Sequence, residues 1–162
     1  MKNNTTQRGS LVLEVLLTLG IGVIFSLAVG ALIGANSKLT TASELKGQAA
    51  AYAKETMEQV FAMKYDDWSN LTLTPGEEYY RIVEQSGNLV LQVETALPDG
   101  EAIDSTFSRL LQITPGHRDA LGKLSLNGVD DDQVRHATVT VSWHEGDLPK
   151  TEQLETFLTH WK

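Results

Sequence analysis

Residues 15–36 contain no charged side chain, and Leu, Val, Ile, Ala and Gly dominate the run. At 1.5 Å per residue, roughly 20 helical residues cover the ~30 Å of bilayer hydrocarbon, so the segment is long enough to span. No proline or strong breaker follows it. Instead, Leu45, Ala49, Tyr52, Ala53, Met57, Val60 and Phe61 recur at the i, i+3, i+4, i+7 spacing of one helical face. The pattern predicts one long helix over about residues 10–64, with a lipid-facing part at 10–35 and an amphipathic part at 36–64. Gly20, Gly22, Gly30, Gly34 and Gly47 each cost a water-exposed helix roughly 1 kcal/mol relative to alanine, which favours local bending or fraying.

After Tyr65 the period changes from helical to alternating. Pro75-Gly76 is turn chemistry, and the runs YYRIVEQ and NLVLQVETA flank Ser86-Gly87-Asn88, which reads as a hairpin. Pro98-Asp99-Gly100 forms a loop ahead of a strand SRLLQIT, and an irregular stretch runs from Pro115 through Asn127-Gly128 to Asp132. In VRHATVTVSW, Val139, Val141 and Trp143 share one face and Thr138, Thr140 and Ser142 the other. His144 to Asp147 turns the chain into a last strand at about 152–161. The expected fold class is α+β: a long N-terminal helix packed against an antiparallel β-sheet formed by residues 65–162, because the helical stripe needs a cover.

Charge sharpens this picture. The chain has 13 basic and 21 acidic residues, too acidic to coat nucleic acid by neutralising phosphates. Only Lys2, Arg8 and Glu14 are charged before Ser37. The positive-inside rule therefore predicts a cytoplasmic N-terminus and an acidic head outside the inner membrane. A cleaved secretory signal is the rival reading, but its apolar region is ~7 to 15 residues and ends in a small-x-small site. There is no cysteine, hence no disulfide, thiolate metal site or lipobox.

At the junction of the basic leader (1–9) and the apolar run stands Arg8-Gly9-Ser10-Leu11-Val12-Leu13-Glu14. This resembles the class III signal of type IV pilins and pseudopilins, in which a prepilin peptidase cuts after a glycine and a glutamate stands fifth in the mature chain. The resemblance implies cleavage between Gly9 and Ser10 and N-methylation of Ser10, where the family usually has phenylalanine. The stretch AAYAKETMEQVFAMKYDDW, with Glu55, Glu58 and Trp68, is similar to minor pilins and secretion pseudopilins of the PilV and GspI kind. The closing runs ATVTVSW and QLETFLTHW are similar to final strands of such proteins. The partners so implied are prepilin peptidase, other pilin or pseudopilin subunits and inner-membrane lipid. The location implied is the bacterial inner membrane, then a filament. Type II secretion, a type IV pilus and DNA uptake all remain open. The absent cysteine pair points towards a minor subunit.

Physical chemistry gives Glu14 a role. A carboxylate in a membrane segment costs roughly 2.5–3.5 kcal/mol at the helix centre, less near the edge, and is normally paired. Glu14 lies four residues, about 6 Å, beyond Ser10 along a helix. The freed amino group of Ser10 on an adjacent subunit is its natural partner, and such pairing sets the axial offset between helices. A carboxylate resting in the headgroup zone is the alternative.

Other candidate chemistry is weaker. Asp130-Asp131-Asp132 offers hard oxygen ligands, but the spacing fails the EF-hand pattern, and a solvated turn is expected. His117, His136, His144 and His160 show no zinc spacing. His144-Glu145 near Ser142 lacks a nucleophile elbow. The reading is therefore no enzyme, no catalytic residue, no metal and no cofactor. Gly30-xxx-Gly34 reads equally as a helix-packing motif or as glycine tolerated in lipid. Trp143, sharing a face with Val139 and Val141, is expected in the core rather than on an adhesive surface with Trp161.

Overall fold

The computed structural model describes residues 5–94 and 100–160, with side chains from residue 13 onward except Lys38. Most of the expected loop at Pro98-Asp99-Gly100 therefore lies outside the described residues. The chain divides into two compact units, Met1–Glu44 and Leu45–Lys162. Helix α1 (Thr5–Asp66) supplies the described part of the first unit and the opening element of the second.

In the first unit none of the described side chains of the helix is buried. Leu13, Leu16, Leu19, Ile24, Phe25, Leu27, Leu32 and Ile33 are all exposed. A helix that apolar and that uncovered is long and apolar enough to cross a membrane. The helical backbone begins at Thr5, ahead of the predicted start near Ser10.

In the second unit α1 becomes one-sided. Ala49, Ala53, Thr56, Met57, Val60 and Met63 are buried, and Leu45, Tyr52 and Phe61 pack against the same cluster. A 3-10 turn at Trp68–Leu71 follows, where the Asp67 carboxylate accepts the Ser69 N–H at 2.8 Å.

The sheet comprises β1 (Tyr79–Gln85), β2 (Asn88–Val93), β3 (Glu101–Ala102), β4 (Ser108–Arg118), β5 (Leu124–Ser125), β6 (Val129–Glu145) and β7 (Leu148–Thr159). Its order is β2-β1-β4-β6-β7, with β3 and β5 pairing on β4, and every pairing is antiparallel. The chain is thus α+β, a long N-terminal helix packed against an antiparallel sheet.

One face of the sheet carries Leu111, Ile113, Ala137, Val139, Val141, Trp143 and Leu158 into the core with the α1 stripe. Burying each large aliphatic side chain contributes about 1.5–3 kcal/mol. The opposite face presents Thr138, Thr140 and Ser142, as alternation requires.

Three local features depart from the expected layout. The stretch from Pro115 is irregular only in its middle: β4 continues to Arg118 and β6 begins at Val129, with turns and the two-residue β5 between them. Pro115 breaks the ladder without ending the strand. The register shifts between Pro115 (opposite Arg135) and Gly116 (opposite Asp131), a bulge that absorbs the missing N–H. Lastly, β7 starts at Leu148 because a two-residue loop, Gly146-Asp147, with Gly146 at φ 62°, closes the hairpin tightly.

Candidate functional site

The membrane-length helix is the first candidate. Glu14 is exposed, and among the described residues no cation pairs with it. One turn on, the Thr18 hydroxyl donates to the carbonyls of Glu14 and Val15, both at 2.9 Å. Ser26 donates to Gly22 O at 2.9 Å. Hydroxyls satisfied inside their own helix suit a lipid environment, where water cannot serve them. Around Gly22 a shallow groove is lined by Thr18, Leu19, Val23, Ser26 and Leu27. Beyond Cβ positions at Gly20, Gly22, Gly30 and Gly34 there is open space. Glu14 is therefore the one charge along a continuous apolar surface. Gly9 and Ser10 fall in the backbone range of α1, but the Ser10 side chain lies outside the described residues.

The head carries denser polar chemistry. Arg109 is bound by the Glu101 carboxylate and donates from Nη1 to Thr56 Oγ1 at 3.0 Å. Thr56 in turn donates to Tyr52 O at 2.8 Å. This network ties β3 and β4 to the helix. Its signal in the sequence is thin: Thr56 lies three residues after Ala53 and four before Val60, on the apolar stripe, yet its polarity removes it from an apolar count. Tyr52 donates to Asp104 at 3.2 Å, and Asp104 accepts the N–H groups of Thr106 and Phe107. Those backbone donors hold the Asp104 carboxyl below its usual range.

Asp130, Asp131 and Asp132 lie on β6, not in a solvated turn. The cause is the bulge, which carries the β4–β6 ladder past Pro115 and pairs Gly116, His117 and Arg118 with Asp131, Asp130 and Val129. Asp131 accepts from Arg118 Nε at 2.5 Å and from the Gln133 N–H at 2.8 Å. The Arg118 hydrogen bond, followed by that from Gln133, holds the Asp131 carboxyl below the ordinary value. Asp130 sits 2.8 Å from His117 Nδ1. The Asp131 carboxylate is committed to Arg118, and no group of three metal-ligating side chains occurs among the described residues.

The other histidines are dispersed. His136 stands 3.6 Å from Glu155, and His160 stacks on Trp68 with centroids 5.1 Å apart. Arg135 covers the Trp68 ring at 5.5 Å. No hydrogen bond joins Ser142 to His144 among the described residues. Trp143 is buried beside Phe107, with ring centroids 6.0 Å apart, as its strand face predicts. Trp161 lies outside the described residues.

No protein-family model, no curated protein and no solved structure matches this chain.

Proposed function

We propose that this chain is a pilin-like structural subunit, a minor pilin or minor pseudopilin, that is anchored by and assembles through its N-terminal helix. The observation that carries the reading is the exposed apolar helix with a single carboxylate, Glu14, near its start. Lipid covers such a surface in the membrane, and the helices of other subunits cover it in a filament. On this reading the leader 1–9 stays cytoplasmic, prepilin peptidase cuts between Gly9 and Ser10, and Glu14 pairs with the amino group of Ser10 on a neighbour. The head is then structural rather than catalytic, which suits charged groups engaged with one another rather than convergent on a cavity.

N-terminal sequencing and intact mass, with and without an active prepilin peptidase, test the reading. A chain beginning at Ser10 only when the peptidase is active is the expected result; a chain still beginning at Met1 overturns it. One observation favours a second reading, an uncleaved single-span protein with a partner-binding head. The helical backbone runs unbroken through Gly9 and Ser10, and a peptidase must unwind a helix before cutting it. The same mass measurement separates the two.

A further inference from the structure

The sheet ends on two strands, β2 and β7, each paired on one side only among the described residues. The β7 ladder pairs Val134–Glu145 with Leu148–Thr159 without a register shift. Its two-residue loop makes Glu145 and Leu148 the closing hydrogen-bonded pair, and the His160 N–H reaches Gln133 O at 2.8 Å. Even-numbered residues of β7 therefore bond to β6. Thr151, Gln153, Glu155, Phe157 and Thr159 turn their N–H and C=O groups outward. Pro149 also falls on the outward side, where its missing N–H costs no ladder bond. Past Lys150 the edge carries no proline, lysine or bulge, the devices that usually block such a template.

The surroundings of this edge define what fits. On the core side a groove runs along it, floored by Met57, Phe61 and Leu154 and rimmed by Lys54 and Glu58. An incoming strand must be apolar on that side. The edge itself bears Glu152 and Glu155 and, past Lys150, no cation. An antiparallel pairing of β7 with its own copy that uses all of residues 151–159 centres on Glu155 and sets that carboxylate against itself, which is unfavourable.

The other end of the same sheet meets the specification. β2, NLVLQV, carries no charge. Its hairpin closes at Gln85 and Asn88, so Leu89, Leu91 and Val93 turn their backbone groups outward. Those three side chains lie on the core-facing side, opposite Glu84, Ile82 and Tyr80. Four antiparallel steps separate β2 from β7, so the two run in the same direction.

We infer that β7 of one copy receives β2 of a second copy in a parallel pair that continues the sheet from subunit to subunit. With the core faces on the same side, no other orientation brings these two edges together. The contact joins two different surfaces, the interface type that builds rings or open filaments rather than closed dimers. It rests on the reading that copies assemble, and adds a head-to-head contact to the helix-mediated one.

The chain has no cysteine of its own, so engineered disulfides report directly. The full-length chain carrying Gln92→Cys with Thr151→Cys, Gln153→Cys or Glu155→Cys is reconstituted at high density in phospholipid vesicles and oxidised. Within one copy these positions stand four strand spacings apart, about 19 Å, beyond disulfide reach. A ladder of dimers, trimers and larger species from at least one pair is expected, lost when Gln153→Pro is added to a pair at Thr151 or Glu155. Three outcomes overturn the inference: no ladder from any pair, a ladder that survives Gln153→Pro, or dimers from Gln153→Cys alone at the level of the pairs. Either of the first two with β-sheet circular dichroism intact assigns the edge to a different chain or to none. Vesicle assembly needs no peptidase, so failure here leaves the cleavage test at Gly9 standing on its own.

Discussion

At the scale of single residues, Glu14, Thr56 and Asp131 each hold a polar group that its surroundings make consequential. Changing Glu14 to Ala should leave membrane insertion and head folding intact, because it makes the helix more apolar and lies outside the head unit. Incorporation into filaments should fall, read as the ratio of filament-associated to membrane-pool subunit. Gln should be nearly as harmful if charge matters; equal ratios for wild type, Ala and Gln would rule out the assembly role. Thr56→Val keeps the shape but removes the oxygen that receives Arg109. A cost of about 1–3 kcal/mol in denaturant unfolding is expected, with Thr56→Ser largely neutral. For Asp131 the sign follows from its lowered pKa. The stability it contributes is fully present above the unfolded value of 3.8 and is lost as pH falls through the lower folded value. Asp131→Asn should therefore destabilise at neutral pH and flatten the loss of Tm below about pH 4; an unchanged acid limb would exclude Arg118–Asp131 as its source. Glu14 was legible in the sequence because a lone charge in an apolar run is conspicuous. Thr56 was not, because only the packed helix reveals that its hydroxyl has a half-buried guanidinium to meet.

At the scale of elements, the bulge on β6 opposite Pro115-Gly116 is the most informative. A Cβ on Gly116 would lie 2.2 Å from Val134 Cγ1, closer than packing allows, so only glycine fits beside Val134. Gly116→Ala should cost about 1–3 kcal/mol by overpacking, and adding Val134→Ala should recover part of it. Additive losses in that double-mutant cycle would show that the two sites do not touch in the way described. The hairpin loop Ser86-Gly87 has both residues at positive φ, 54° and 83°, which a type I′ turn requires. Periodicity located the strong strands, and Ser-Gly-Asn located this turn. It failed after Pro115, where proline chemistry reads as an ending. The bulge that lets the strand continue depends on a partner strand far away in sequence.

For the molecule as a whole, the uncovered helix is long and apolar enough to cross a membrane, and a charge within it tests that role. Ile24→Lys places a charge mid-run at a cost of about 2.5–3.5 kcal/mol on insertion scales. Alkaline extraction should then release more of the chain from membranes, while near-UV circular dichroism of the head stays unchanged. Retention equal to wild type would mean that something other than this helix holds the protein.

The sequence by itself determined the membrane-length helix, the helical stripe from Leu45 to Phe61 in outline, the hairpin turn at Ser86-Gly87, and the core placement of Trp143, because these follow from local periodicity and composition. Tertiary structure alone decided that Asp131 faces Arg118 and that Thr56 meets Arg109. It also decided that the sheet ends on a neutral β2 and an acidic β7. Each of those depends on which strands become neighbours, a choice made by burial and register across the whole chain rather than by any stretch of it.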